Sequence, residues 1–157
     1  MLIRSATTED IPAILAIERK AEHGAHWPEE KYREMFESQT SQRLVLVLEE
    51  RGTVQGFVIG HLLDQECEIE NLVVESDFRR RGWGSRLLQS LIDAAQRGGV
   101  TAFFLEVRES NLPARALYNR TGFMEDGRRE QYYREPEEDG ILFTFRMPSA
   151  AFPDETR

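Results

Sequence analysis

The chain has a single cysteine, Cys67, so no disulfide forms within it and a reducing, cytoplasmic setting is expected. Histidine is almost as scarce. His23, His26 and His61 share no ligand spacing with Cys67, and no metal is expected. No apolar run approaches the roughly 20 residues that cross a bilayer, and the first residues lack a signal-peptide core, so no membrane role is expected. Basic residues are outnumbered, 20 Lys and Arg against 28 Asp and Glu, and a net charge of −8 argues against a nucleic-acid partner. Two familiar phosphate loops are missing as well. There is no Gly-x-x-x-x-Gly-Lys-Ser/Thr, and a Gly-x-Gly-x-x-Gly beginning at Gly82 fails because position 87 is leucine. Repeats and an interdomain linker are absent, which leaves one domain over residues 1–147 and a loose tail over residues 148–157.

What the chain does contain is ordinary core material, 40% hydrophobic residues in 157, and one unusual stretch, Arg79-Arg80-Arg81-Gly82-Trp83-Gly84. The run Ile69–Val74 precedes it. After it, Trp83, Leu87, Leu88, Leu91, Ile92 and Ala95 recur at helical spacing. A strand that feeds a glycine turn and then a helix aims free backbone N–H groups and the helix dipole at one point. That is an anion site, suited to a phosphate or pyrophosphate, and three arginines add positive charge beside it. The same residues also describe a plain tight turn with solvated arginines, so the rest of the chain has to decide.

Read in order, Leu2–Ala6 is a short strand, and Thr7 or Thr8 caps a helix with an apolar face at Ile11, Ile14, Leu15, Ile17 and Ala21, ended by Gly24. Pro28 opens a second helix through about Ser38, with Tyr32, Met35 and Phe36 inward. Leu44–Glu49 and Val54–Leu62 form a hairpin, and Glu66–Val74 is a fourth strand leading into the glycine loop. The central helix closes at Gly98-Gly99, followed by a strand over Thr101–Val107 and a short helix over Asn111–Thr121. Strands Phe123–Tyr133 and Ile141–Met147, joined by the acidic loop Glu135–Gly140, end the pattern.

The loop, together with Leu105-Glu106-Val107-Arg108-x-x-Asn111, Ala116-Leu117-Tyr118 and Thr121-Gly122-Phe123, resembles the GCN5-related N-acetyltransferases. Within that family the chain looks most like the ribosomal-protein-alanine N-acetyltransferases (RimI type), as do Trp27 before the second helix and Arg128-Arg129-x-x-Tyr132-Tyr133. The resemblance covers nearly the whole chain and implies an α/β fold. That fold is a mixed sheet of about seven strands, with two splayed central parallel strands and about four flanking helices.

It further implies acetyl transfer from acetyl-CoA to a primary amine by direct attack in a ternary complex. Leu72, Val73 and Val74 would offer their backbone to the pantetheine arm, and Arg79, Arg80, Arg81, Gly82, Trp83, Gly84 and Ser85 would hold the pyrophosphate. Asn111 matches a cofactor-contacting asparagine and serves equally as a helix cap. Amide formation from a thioester needs a base for the ammonium and an acid for the departing sulfur. Glu106, an acid inside the apolar strand Phe103–Val107, matches the base; burial would raise its pKa, or a nearby arginine would pair with it. Glu68 is the rival base, with Glu70 on the same face by the period of two. Tyr118 matches the acid and also touches the cofactor.

Trp27 and Tyr32 on one side, and Tyr132 and Tyr133 on the other, would flank an acceptor peptide, with alternation turning only one of the last two inward. The acceptor implied is the α-amine of a protein N-terminus, an alanine of a ribosomal protein, drawn in by the acidic surface. A small-molecule amine (polyamine, amino acid, antibiotic) or a non-catalytic acyl-CoA sensor are the alternatives, and a monomer or homodimer is expected.

Overall fold

In the computed structural model, which describes residues 1–38 and 42–148, one seven-stranded sheet runs through the molecule in the order β1-β2-β3-β4-β5-β7-β6. The strands are β1 (Leu2–Ser5), β2 (Arg43–Glu50), β3 (Thr53–Leu63), β4 (Glu66–Val74), β5 (Ala102–Arg108), β6 (Met124–Tyr133) and β7 (Glu138–Arg146). Four helices accompany them: α1 (Ile11–Lys20), α2 (Glu29–Glu37), α3 (Trp83–Arg97) and α4 (Leu112–Arg120). Single 3₁₀ turns at Thr8–Asp10 and Ser76–Phe78 lead into α1 and the glycine loop.

Both faces of the sheet are covered, and the alternation of β2 shows how. Val45 and Val47 pack with α1 and α2, whereas Leu46 and Leu48 pack with α3. The amphipathic stripe of α3 buries Leu87, Leu88, Leu91, Ile92 and Ala95, each large side chain contributing about 1.5–3 kcal/mol. Arg51 and Gly52 turn β2 into β3 with both residues left-handed, the two-residue hairpin geometry that matches strand twist.

Two boundaries differ from expectation. The first helix stops at Lys20 rather than Gly24, because Ala21 is already extended, and residues 21–28 become a longer loop. Strand β7 begins at Glu138, not Ile141, since Glu138 still pairs with Tyr133 and shortens the acidic loop. The tail expected over residues 148–157 lies, apart from Pro148, outside the described residues.

Two irregularities of β4 shape everything that follows. Its ladder with β3 steps from Ile59–Asn71 to Gly60–Ile69, so Glu70 is an extra residue, a bulge. The bulge resets the alternation: Cys67 and Ile69 face α3, but so do Leu72 and Val74, while Asn71 and Val73 turn to the α1–α2 side. Its parallel ladder with β5 lasts only from Glu66–Ala102 to Glu68–Phe104. Beyond that point the two strands separate, β4 running on to Val74 and β5 to Arg108. The sheet is split at its centre.

Candidate active site

The split opens into a groove of about 560 Å³. Leu72, Val73 and Val74 form its floor, with Gly82, Gly84 and Ser85 at one end and Asn111, Tyr118 and Leu117 of α4 on one side. Ala21–Gly24, the residues that fell out of α1, close it from the other side. A strand that has lost its neighbour keeps unpaired N–H and C=O groups, so the floor can hydrogen-bond an extended ligand as an added strand would.

At the glycine end, Gly82 caps α3 with φ +81°, and Arg80 also sits in the left-handed region at φ 62°. No side chain caps the helix, which leaves the N–H groups of its first turn to a ligand. Arg79 lines the groove, but its Nε donates to the Val74 carbonyl at 2.9 Å, tying the loop to the end of β4. Arg80 also lines the groove, and so does Arg120 from α4, which sequence reasoning missed because it lies 36 residues past the loop's Gly84. Arg81 and Trp83 depart from expectation. Arg81 lies over the Phe78 ring at 5.4 Å, and Trp83 packs on the core beneath α3 with Arg86 stacked 4.6 Å above it. Neither is among the groove-lining residues. Asn111 lines the groove and also caps α4, its Oδ1 accepting from Ala114 N at 3.3 Å.

Of the acid–base candidates, Tyr118 lines this groove, whereas Glu106 and Glu68 are not among its lining residues. Tyr118 is buried against Phe123 and Phe143 while still reaching the groove, and burial raises its pKa above the usual phenol value. Glu106 is not the isolated buried acid that its apolar strand suggests. Its side chain is 18% exposed, and Arg129 Nε lies 2.7 Å from its Oε1. Glu68, half-buried beside it on β4, has its pKa raised by burial first and by Glu70 next. Glu70 itself is held by Arg43 at 3.0 Å and faces His61 at 3.4 Å. Cys67, one residue before Glu68, points into the core, where burial pushes the thiol up to about 12.

Tyr132 and Tyr133 were expected to alternate across β6. A register shift between Arg129 and Tyr133, with Gln131 left-handed at φ 51°, puts both rings on one side instead. A Cβ at Gly140 would lie 3.3 Å from the Tyr133 ring, 3.4 Å from the Tyr132 ring and 3.7 Å from Glu106 Oε2. The two rings meet edge to face at 5.1 Å, with Arg129 over Tyr132 and Arg108 over Tyr133. Burial, and then the Glu106 charge, push the Tyr133 phenol up to about 12.

On the opposite side the slot expectation fails for one residue. Tyr32 has no exposed surface, so it cannot flank a peptide; its hydroxyl is bound by Asn71 inside the α1–α2 core. Trp27 is half-buried, tilted on Tyr32 at 5.8 Å with Lys31 over its ring. Glu18 and Asn71, both buried in that network, carried no periodic signal that could have singled them out.

Comparison with known proteins agrees with this geometry. Residues 11–123 match the model of the acetyltransferase (GNAT) family. The chain belongs to the GNAT acetyltransferase family. It is 37% identical over 138 residues to an Escherichia coli K12 enzyme named [ribosomal protein bS18]-alanine N-acetyltransferase, covering 88% of this chain and 89% of that one. The Salmonella typhimurium protein of the same name is 38% identical, with 87% and 90% covered. The crystal structure of the Escherichia coli ribosomal-protein-S18-alanine N-acetyltransferase superposes with a TM-score of 0.82 at 31% identity, over 99% of this chain and 97% of that one. A Salmonella typhimurium acetyltransferase-fold structure holding its cofactor acetyl-CoA reaches the same TM-score of 0.82 at 23% identity, covering 99% and 98%.

For a GNAT enzyme the groove has the chemistry its donor needs. The uncapped N-terminus of α3 suits the pyrophosphate of acetyl-CoA, and the free edge of β4 suits the amides of its pantetheine arm. Glu106 lies on the face of β5 opposite the Leu105 and Val107 side chains that pack with Tyr118. A carboxylate and a phenol thus approach the split from its two faces. Among the described residues no group of His, Cys, Asp and Glu is arranged to hold a metal ion, and no helix is long and apolar enough to cross a membrane.

Proposed function

We propose that this GNAT enzyme acetylates the N-terminal α-amine of a protein in the cytoplasm, with an alanine-first ribosomal protein as the natural acceptor. The observation that carries the reading is the convergence of Glu106, Tyr132 and Tyr133 around Gly140: a partly exposed carboxylate walled by two aromatic rings and held by Arg129 of the exposed strand β6. Such a corner takes an ammonium at the end of an extended chain. Likeness to enzymes named for the bS18 N-terminal alanine, along most of both chains, supports the same acceptor. The net charge of −8 favours a basic partner, which a ribosomal protein supplies.

Acetyl-CoA supplies the acetyl group as a thioester. Gly82, Gly84 and Ser85 hold its pyrophosphate through backbone N–H groups, Arg80 adds charge, and Leu72–Val74 orient the arm toward the split. Glu106 accepts the proton of the incoming ammonium, through a water, so that the neutral amine can attack. Tyr118 donates its phenolic proton to the departing sulfur; its raised pKa keeps that proton in place at neutral pH.

The test sets alanine-first and serine-first peptides against the same peptides with a blocked α-amine and a free lysine, and against spermidine. Turnover of the free N-termini alone is expected. Equal rates on blocked peptides or spermidine would discard the N-terminal reading, and acetyl-CoA binding with no turnover at all would point to a sensor.

A further inference from the structure

The proton transfers above leave one buried carboxylate without a task. Glu18, on α1, is 2% exposed inside a cluster of Ile14, Ile17, Tyr32, Met35 and Ile59, and among the described residues no basic side chain pairs with it. A buried carboxylate is costly unless several donors satisfy it. Here two donate to it directly: Asn71 Nδ2 to Glu18 Oε1 at 3.0 Å and Trp27 N to the same oxygen at 3.3 Å. The Tyr32 phenol stands close by, its pKa raised first by burial and then by Glu18. Asn71 also donates to the Tyr32 oxygen at 3.3 Å, which closes the network.

The placement of those donors is informative. Trp27 ends the loop whose residues 21–24 wall the groove, and Asn71 is the first residue after the β4 bulge and the last before the groove floor. The loop therefore has a charge-assisted anchor to the strand at the point where β4 leaves β5, and the bulge is what turns Asn71 toward Glu18 at all. A packed apolar side chain in place of Glu18 would fill the core equally well. It would not hold a backbone N–H of the loop in one position.

We propose that Glu18 is a positioning residue for the acceptor: with Asn71 it clamps the α1–α2 loop against β4 and so sets the acceptor side of the groove. The proposal rests on the acetyl-transfer reading above. The loop bond that Glu18 makes is at Trp27, the residue expected to flank the acceptor and not one of those lining the donor groove, so the clamp is read on the acceptor.

The experiment compares wild type, Glu18→Gln, Asn71→Ala and the double variant. Glu18→Gln is isosteric, but it converts charge-assisted bonds to neutral ones, and Asn71→Ala removes the strand's donor. Glu18→Gln is expected to raise the acceptor KM about tenfold with acetyl-CoA affinity within about twofold, as loss of one charged hydrogen bond would do. Amide hydrogen exchange should quicken in residues 21–28 and not in α3. Because the two residues act as one clamp, the double variant should be no more than about threefold worse than the worse single variant in both readouts.

An unchanged acceptor KM, or donor and acceptor constants weakening together with a fall in Tm, overturns the proposal, as does a double variant whose losses multiply those of the two single variants. The acceptor used is whichever amine the wild type acetylates, so a wrong acceptor class shows in the wild type. The exchange measurement needs no acceptor and tests the clamp even if turnover fails.

Discussion

Arg129 Nε lies 2.7 Å from Glu106 Oε1, so the carboxylate proposed as the base shares its charge with a cation on the exposed edge strand. That pair joins two residues 23 positions apart on strands that do not touch, with β7 between them. Burial raises the pKa values of Glu68 on β4 and of the Tyr133 phenol, and both stand close enough to Glu106 for its charge to raise them further. Glu106→Gln is therefore expected to cut kcat by about 10²-fold or more and to flatten the acidic limb of the pH–rate curve. Arg129→Gln should lower kcat by less than Glu106→Gln, because it removes the partner that holds the carboxylate and leaves the carboxylate itself in place. Steady-state rates from about pH 5 to 9 check both. If Glu68→Gln is crippled while Glu106→Gln is near normal, the base belongs to β4.

Gly82 offers a second test, of the anion end. A Cβ there would meet open space, so any damage from a substitution comes from its φ of +81° and not from a clash. Gly82→Val forces a β-branched residue into a region it disfavours by about 1–2 kcal/mol, and the loop is expected to re-form with its N–H groups turned aside. Acetyl-CoA should raise the Tm of the wild type and leave that of the variant unchanged. A full-sized shift in Gly82→Val would remove the pyrophosphate assignment.

Tyr118 is predicted to matter only as far as the leaving group needs a proton. Tyr118→Phe should lower kcat by about 10- to 100-fold with acetyl-CoA, within the range of general-acid effects, and by less with an acetyl thioester of a more acidic thiol. The phenol is buried against two aromatic rings, so phenylalanine fits the same space and the Tm should barely move. A loss that is equal for good and poor leaving groups would assign Tyr118 to packing or cofactor contact.

Away from the groove, Asp10 predicts the acid behaviour of the fold. Arg4 binds it with both terminal nitrogens, at 2.8 and 2.9 Å, and holds its carboxyl below the usual value despite burial; Thr7 N adds a third bond at 2.8 Å. A depressed folded-state pKa contributes stability that is present above the unfolded value, near ~3.9, and is lost as pH falls through the folded value. Asp10→Asn is expected to cost about 2 kcal/mol at neutral pH and less as the pH is lowered toward about 3, measured by urea unfolding at each pH. A penalty that stays constant across that range would mean the pair contributes through shape alone.

Much of this protein was legible before its fold. Glycines 82 and 84 between a strand-like run and an amphipathic helix marked the tight strand-to-helix turn, because backbone freedom and helical period are local properties written in consecutive residues. The seven strands and four helices were placed to within a few residues for the same reason. Composition argued against a basic nucleic-acid face, and motif resemblance singled out Glu106 and Tyr118.

The differences share one cause. Arg81 and Trp83 came into the pyrophosphate loop with the motif resemblance, and around the tight turn their side chains lie on Phe78 and on the core instead. Tyr32 was read as a wall of the acceptor slot, and the core took it completely. Tyr132 and Tyr133 were expected on opposite faces, and a left-handed Gln131 put them on one. The sequence by itself determined which segments are strand, helix and glycine turn, since those depend on residues a few positions apart. Only the tertiary structure decided that β4 and β5 part after Glu68, that Arg129 reaches Glu106, and that Asn71 meets Glu18 across 53 residues. Those contacts depend on a bulge and a strand order, and a bulge changes which face every later residue presents without leaving a mark in the hydrophobic pattern.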